Sequence, residues 1–141
     1  KPESGNIVTE DGEVLGKHNG LFNYTIGQRK GLGIAYKHPL YVIGFNGERN
    51  EVIVGPNERL FTNRMICKFY NFLDDTIHKE LKAEGKIRYA ANPSPCTARI
   101  LDDDTMEVIF EEPQRAITPG QSVAFYNGTQ LLGGAVIDRV C

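Results

Sequence analysis

A glycine-rich stretch carries the densest group of residues that could do chemistry. Between Gly16 and Gly33, five glycines surround a set of polar and basic side chains, which are His18, Tyr24, Gln28, Arg29 and Lys30. Glycine lets a backbone bend sharply and approach a partner closely, and successive N–H groups can cradle a phosphate. Gln, Arg and Lys side chains add donors for phosphates or base edges. The stretch predicts either a ligand-contacting loop or an ordinary loop with a solvated basic tip.

A second candidate site combines Lys86-Ile87-Arg88-Tyr89 with Thr118-Pro119-Gly120-Gln121. On a strand, Lys86 and Arg88 would share one face and Tyr89 would lie on the other. An exposed arginine near an aromatic ring suits single-stranded RNA, because the guanidinium binds phosphate while the ring stacks on a base. The sequence from Thr118 to Gly120 is typical of a tight turn that presents Gln121 at the start of a strand. The alternative is an ordinary strand with an exposed basic face.

The other reactive residue types form no catalytic or metal-binding pattern. Neither a Walker loop nor G-x-G-x-x-G after a strand occurs in the glycine-rich stretch. The histidines lack the spacing of metal ligands, and none has a nucleophile beside it in a recognisable motif. Cys67 and Cys96 fall in predicted strands, where a free cysteine is usually a small buried hydrophobe. The sequence therefore predicts no catalytic residue and no metal ligand in this chain.

Short strands must position these residues. The Asp11-Gly12 and Asn46-Gly47 pairs each lie between two apolar runs, and such pairs supply the positive φ angles of tight hairpins. Further runs rich in β-branched and aromatic residues predict strands at 65–69, 86–90, 96–101, 106–110, 122–126 and 134–137. The segment from Asp74 to Glu84, with Ile77 and Leu81 four apart, predicts either a helix that Gly85 ends or a loop followed by a strand.

Many short strands at this spacing, separated by Gly, Pro and Asn, favour small barrels over alternating β-α-β units. The run from Gly55 to Arg59 breaks the pattern near the middle of the chain. We therefore expect an all-β protein of two small barrel-like units, at residues 1–62 and 63–141.

Composition narrows the class of protein. The 141 residues are 40% hydrophobic and 24% charged, which is typical of an ordinary globular protein. No run approaches the roughly 18 apolar residues that cross a membrane, and the polar start of the chain predicts no signal peptide. Three cysteines, far apart, indicate a reducing compartment, so we expect a cytoplasmic protein. A net charge of −2 argues against binding nucleic acid by bulk charge alone.

The motifs resemble those of one enzyme family. The run Tyr24-Thr25-Ile26-Gly27-Gln28-Arg29-Lys30-Gly31-Leu32-Gly33 is similar to the signature of the bacterial tRNA-specific 2-thiouridylases. Matches continue in the family's order through Arg88-Tyr89, Pro95-Cys96-Thr97 and Thr118-Pro119-Gly120-Gln121. The resemblance covers nearly the whole chain.

The resemblance implies an enzyme that activates the wobble uridine of certain tRNAs with ATP and replaces its 2-oxygen by sulfur delivered as a persulfide. ATP and two catalytic cysteines are expected in an N-terminal domain whose phosphate loop this sequence does not contain. The chain would then be the family's central β domain and its C-terminal barrel, which resembles domain 2 of translation factors. On this basis we expect the fragment alone to bind no cofactor and to be inactive.

The resemblance also assigns site residues and partners. Arg88, Tyr89 and Gln121 match positions that contact tRNA, and a sulfur-donating protein is expected as a partner of the whole enzyme. His18, Gln28, Arg29 and Lys30 match a loop that contacts either the catalytic domain or RNA. Two alternatives remain: a stand-alone module that binds RNA or protein without any enzyme, and a scaffold that only connects domains.

Overall fold

The computed structural model describes residues 3–74, 76, 79–88 and 91–141. It divides the chain into two compact units, Lys1–Phe61 and Thr62–Cys141. Among the described helical segments, none is long or apolar enough to cross a membrane.

The first unit is a four-stranded sheet built from two hairpins. Its strands, in the spatial order β2-β1-β4-β3, are β1 (Gly5–Thr9), β2 (Val14–His18), β3 (Tyr41–Asn46) and β4 (Glu51–Gly55). Both predicted hairpins are present as antiparallel pairs, and β1 joins them by pairing parallel to β4. Gly12 adopts φ 90° in the first turn, a conformation that glycine tolerates best.

One buried apolar cluster holds this unit together and also fixes the long connection from β2 to β3. Val42, Val52 and Val54 supply the strand side of the cluster, and Leu32 and Leu40 enter it from the connection. Apart from a short 3₁₀ turn at Leu21–Asn23, the connection has no regular secondary structure. Its apolar anchors therefore tie it to the sheet.

The second unit is a closed barrel of six strands in the order β10-β5-β8-β7-β6-β9. The strands are β5 (Phe61–Phe72), β6 (Glu80–Lys86), β7 (Ser94–Ile100), β8 (Thr105–Arg115), β9 (Ser122–Asn127) and β10 (Gln130–Val140). Met65, Met106, Val108, Phe110 and Phe125 fill the interior. The predicted all-β class is confirmed, and closure of the barrel removes the exposed sheet edges on which other chains could pair.

The structure decides between the two interpretations of residues 74–84, although part of this segment (residues 75, 77 and 78) lies outside the described residues. The helical interpretation is wrong from Glu80 onward, because β6 begins there and pairs with β7. Leu81 and Ala83 alternate with polar neighbours and pack against the barrel core, which is the period of a strand. Gly85 does not end a helix; it lies inside β6, where a Cβ atom would meet the Phe110 ring at 3.0 Å.

The predicted strand at 86–90 also differs from the structure. Strand β6 ends at Lys86, and Ile87 follows as a buried member of the barrel core. Strand alternation therefore does not position Arg88, whose place depends on its hydrogen bonds. Tyr89 and Ala90 lie outside the described residues.

Candidate functional site

In the barrel, Arg88 holds the connection between β8 and β9, which we call the 115–121 turn. Its Nη2 donates hydrogen bonds to the carbonyl oxygens of Arg115 and Ala116, the second at 3.3 Å. Thr118 Oγ1 donates a further hydrogen bond to the Ala116 oxygen at 2.9 Å. Ala116 has φ 58°, a conformation that is uncommon for a residue with a side chain. The arginine therefore stabilises a backbone conformation at Ala116 that an alanine alone would not favour.

Gln121 lies at the end of this turn with its backbone fixed and its side chain exposed. Its N–H donates to the Thr118 oxygen at 3.2 Å, and its own oxygen accepts from the Ile137 N–H at 2.8 Å. Gly120 adopts φ 92° and donates its N–H to the Ile137 oxygen at 2.7 Å. Strand β10 thus anchors both residues, and the Gln121 amide is presented to solvent on a rigid support.

The structure thus brings Arg88 and Gln121 to the same turn, but their side chains differ in their contacts. Arg88 is half-buried and bonds to the backbone, whereas Gln121 is exposed. Sequence reasoning predicted an exposed arginine on a strand face and missed its backbone partners. Tyr89, the third predicted contact, falls outside the described residues.

In the first unit, His18 is buried at the end of β2, where the glycine-rich stretch leaves the sheet. Its side chain is only 1% exposed, and both ring nitrogens have partners. Nδ1 accepts from the Gly20 N–H at 3.0 Å, so Nε2 carries the proton and donates to the Asn50 oxygen at 2.8 Å. These bonds connect the end of β2 to the turn between β3 and β4. We assign His18 a structural role within its unit.

Gln28 closes the loop on itself. Its Oε1 accepts from the Thr25 N–H at 3.0 Å, and its Nε2 donates to the Lys30 oxygen at 2.9 Å. Its backbone oxygen accepts from the Val42 N–H at 2.9 Å, which ties the loop to β3. Both ends of the amide are thus engaged inside the loop, so Gln28 shapes it.

Arg29 and Lys30 are the exposed part of the predicted set. Arg29, together with residues 31–40, lines a cavity of about 710 Å³, which we call the 29–40 groove. Tyr36 and His38 stand at its rim, with ring centroids 5.0 Å apart and planes at 86°. Sequence reasoning stopped at Gly33 and missed these residues, although Tyr36-Lys37-His38 is a basic and aromatic run that could have indicated them.

The loop does not fit a nucleotide-binding phosphate cradle. Such a cradle needs backbone N–H groups that are free to point at phosphate oxygens. The Gly20 N–H is bonded to His18, and the Gly27 N–H donates to the Val42 oxygen at 2.8 Å. Within the described residues, no group of three His, Cys, Asp or Glu side chains is placed to hold a metal ion.

The barrel cysteines are poorly suited to thiol chemistry. Cys67 is fully buried and Cys96 is 3% exposed, and all three cysteines of the chain are free thiols. Burial raises the pKa of Cys67 and of Cys96 to about 12. Because the thiolate is the nucleophilic form, both side chains are inert packing elements at neutral pH.

Two family models match the chain, one in each unit. A model described as "tRNA methyl transferase PRC-barrel domain" matches residues 1–56, and one described as "Aminomethyltransferase beta-barrel domain" matches residues 62–137. The second alone covers more than half of the 141 residues.

Curated relatives are similar over almost the whole chain. The protein called tRNA-specific 2-thiouridylase MnmA is 46% identical over 138 residues in Clostridioides difficile (97% of this chain, 38% of the relative). The protein of the same name in Geobacter metallireducens is 46% identical over 134 residues (95% and 36%). A third, MnmA 1 of Clostridium tetani, is 48% identical over 141 residues (99% and 39%).

The chain therefore spans less than two-fifths of the length of these relatives. The two family models together account for most of the chain, and these relatives are 46% to 48% identical to it over at least 95% of its residues. On this evidence the chain belongs to the tRNA-specific 2-thiouridylase family, with a sheet unit followed by a β-barrel.

Proposed function

We propose that this chain is the tRNA-holding part of an enzyme that replaces the 2-oxygen of the wobble uridine of tRNA by sulfur. Membership of the family supports the reaction, and the names of the relatives supply the substrate class. The observation that carries the binding role is the 115–121 turn, where Arg88 fixes the backbone and Gln121 is exposed beside it.

The chemistry of these two side chains suits RNA. An amide side chain both donates and accepts hydrogen bonds, so Gln121 can pair with a base edge or with a 2′-hydroxyl. A guanidinium carries five N–H donors, so Arg88 can hold the turn with Nη2 and direct other donors to a phosphate. A turn whose backbone is already fixed loses little conformational entropy when it binds.

The remaining chemistry is assigned to other parts of the enzyme. The activation of the uridine by ATP and the delivery of persulfide sulfur belong, in this proposal, to segments that these 141 residues do not include. Cys67 and Cys96 are unsuited to accept sulfur because they are buried and their pKa is raised to about 12. A separate sulfur-donating protein and a cytoplasmic location complete the proposal.

Gln121→Ala in the enzyme that carries this chain tests the binding role. We expect its tRNA affinity to fall by about fivefold to tenfold, which corresponds to the loss of one hydrogen bond of about 1–1.4 kcal/mol. The measurement is an electrophoretic titration with a labelled tRNA transcript. ATP affinity should not change.

Gln130→Ala is the matched control, because Gln130 is also an exposed glutamine of the barrel but is the first residue of β10 and lies outside the 115–121 turn. Its tRNA affinity should stay within about twofold of the unmodified enzyme. Equal affinities in the Gln121 and Gln130 variants would contradict the assignment of Gln121.

A further inference from the structure

The 29–40 groove of the first unit has the features of a preformed binding surface. It is a cavity of about 710 Å³ lined by one continuous stretch of chain and by Arg29. Leu32 and Leu40 anchor that stretch in the core of the unit, and the Gln28 hydrogen bonds close its start. Long connections that are held in this way are uncommon unless they bind something.

The groove carries positive charge that the fold does not neutralise. Arg29 and Lys37 line it, and Lys30 is exposed beside it. No Asp or Glu is among its described lining residues. In the described part of the chain, the ion pairs lie elsewhere and leave these three cations without a carboxylate partner. An anion would therefore find donors in the groove that it does not have to take from a carboxylate.

An aromatic pair stands next to these cations. The Tyr36 side chain is 36% exposed and meets the edge of His38, while Lys37 Nζ lies 5.7 Å from the centroid of the Tyr36 ring. A ring beside an ammonium group offers a stacking surface for a base within reach of a phosphate donor. Gly33 adds an open backbone, since nothing lies within 4 Å of where its Cβ would be.

The aromatic pair also borders an acidic cavity. A smaller cavity of about 200 Å³ is lined by Tyr36 and His38 together with Glu10, Asp11 and Glu13. A polyanion would be repelled from these carboxylates and attracted to the basic side. A nucleic-acid backbone would therefore be favoured at the basic residues of the groove over this acidic cavity.

We propose that the 29–40 groove is a second RNA-binding surface, separate from the 115–121 turn. Arg29 and Lys37 bind phosphates, and an unpaired base stacks against Tyr36. A protein partner is less favoured by these features, because charged residues are depleted at the core of protein–protein interfaces and the groove exposes two cations beside its rings. The proposal rests on the proposed function only in taking RNA as the ligand.

A pair of charge variants tests the phosphate contacts in the 141-residue chain. The probe is a fluorescein-labelled RNA hairpin with an unpaired loop, titrated at several salt concentrations. We expect Arg29→Ala with Lys37→Ala to weaken binding about tenfold at low salt. The slope of log affinity against log salt should fall by roughly 1.5, since each lost phosphate contact removes about 0.7–0.9.

Lys17→Ala with Arg49→Ala is the matched control, because it removes the same charge from exposed positions of the same unit outside the groove. Affinity should stay within about twofold of the unmodified chain. Equal losses in the two double variants would show that only net charge matters, and no loss in the groove variant would exclude the phosphate contacts; either result overturns the proposal.

Substitutions of Tyr36 test the stacking contact. Loss of one base–aromatic stack corresponds to about fivefold or more in affinity. Tyr36→Ala should show that loss, whereas Tyr36→Phe keeps the ring and should bind within about twofold of the unmodified chain. Circular dichroism checks that both variants fold. Equal binding by Tyr36→Ala and Tyr36→Phe would refute stacking.

Gln121→Ala in the same titration separates the two RNA proposals. If the groove variants bind normally while Gln121→Ala weakens binding, the groove inference fails and the proposed function stands. If only the groove variants weaken binding, the groove inference stands and the assignment of Gln121 fails.

Discussion

His18 in the first unit and Arg88 in the barrel each tie a loop to the fold, and they do so by different physical means. His18 is neutral in its bonded form, 1% exposed, and bonded to Gly20 and Asn50 inside its sheet unit. Arg88 is a half-buried cation that bonds to two backbone oxygens of the 115–121 turn. One side chain is enclosed by its partners, and the other remains at the surface.

This difference distinguishes His18, whose contacts are all structural, from Arg88, to which we propose an additional binding role. A buried polar group must satisfy its hydrogen bonds within the protein, because an unpaired one costs about 1–3 kcal/mol. His18 therefore has nothing left to offer a ligand. Arg88 keeps contact with water and can serve a turn and a ligand together. The degree of burial, which cannot be read from the sequence, therefore decides whether such a side chain is still available to a ligand.

Gly5→Ala should produce the largest effect, because it disrupts the His18 connection. A Cβ at Gly5 would overlap the Asn50 carbonyl oxygen and lie 2.7 Å from His18 Nε2. We expect the free energy of unfolding of the first unit to fall by about 3 kcal/mol or more, as is typical when backbone must move and buried groups lose partners. Urea denaturation, with amide hydrogen exchange in β1 and β2 as the local measure, tests this.

Gly44→Ala is the control for that experiment. Gly44 lies in β3 of the same sheet, and nothing lies within 4 Å of its Cβ position. It should change stability by less than about 1 kcal/mol. If the two alanine variants were equally stable, the connection through His18 would not be a structural requirement.

Arg88→Ala should have a smaller effect on stability and a clear effect on binding. The substitution removes the hydrogen bonds that Arg88 Nη2 donates to the Arg115 and Ala116 oxygens. Thr118 still donates to the Ala116 oxygen, and water can reach this half-buried site. We expect a loss of about 1–2 kcal/mol, faster hydrogen exchange at the Gln121 N–H, and weaker tRNA binding. The measurements are thermal unfolding, hydrogen exchange and the tRNA titration.

Arg88→Lys keeps the charge but not the planar guanidinium, so it isolates the geometric part of the effect. Compared with Arg88→Ala, it should recover part of the tRNA affinity through its charge. The Gln121 N–H should still exchange faster than in the unmodified protein. Full recovery of both measures would show that Arg88 acts by charge alone and does not shape the turn.

The sequence predicted the strands well where alternation and turn residues agree. Both predicted hairpins are present, and Gly12 has the expected positive φ in the first turn. In the second hairpin Asn46 is still paired in β3, and the residue with positive φ is Asn50. For residues 74–84 the sequence left a helix and a loop followed by a strand both open, because a spacing of four, as between Ile77 and Leu81, fits either. The pairing of β6 with β7 decides for the strand from Glu80 onward. Local spacing does not report such long-range pairing.

The site was predictable only in part, for a related reason. Gln121 follows a recognisable turn sequence, so its exposed position could be expected. The partners of Arg88 lie 27 and 28 residues away along the chain, and those of His18 include Asn50, 32 residues away. Contacts between residues so far apart along the chain leave no pattern in the local sequence.

The smallest expected effect concerns a third anchor, Glu107, whose charge allows the comparison to be extended to pH. Its carboxylate is 7% exposed and accepts from Arg64 Nε at 2.6 Å and from Arg99 Nη2 at 2.9 Å. The hydrogen bond from Arg64 is the main cause that holds the pKa of Glu107 below its ordinary value, while burial acts in the opposite direction. Arg59 lowers the pKa of Glu10 in the same way in the first unit.

A lowered pKa in the fold means that the ionised form is favoured by folding. The stabilisation is therefore complete above the unfolded-state pKa of about 4.3 and is lost as pH falls through the lower folded value.

Glu107→Gln should lower the free energy of unfolding by about 1 kcal/mol at neutral pH, since both arginines are partly exposed. It should also make stability depend less on pH at the acid end. Glu10→Gln should cost less, because both members of its pair are well exposed. Urea denaturation between pH 3 and pH 7, values that bracket this window, measures both. If Glu107→Gln and Glu10→Gln changed the acid dependence of stability equally, burial would not distinguish these two carboxylates.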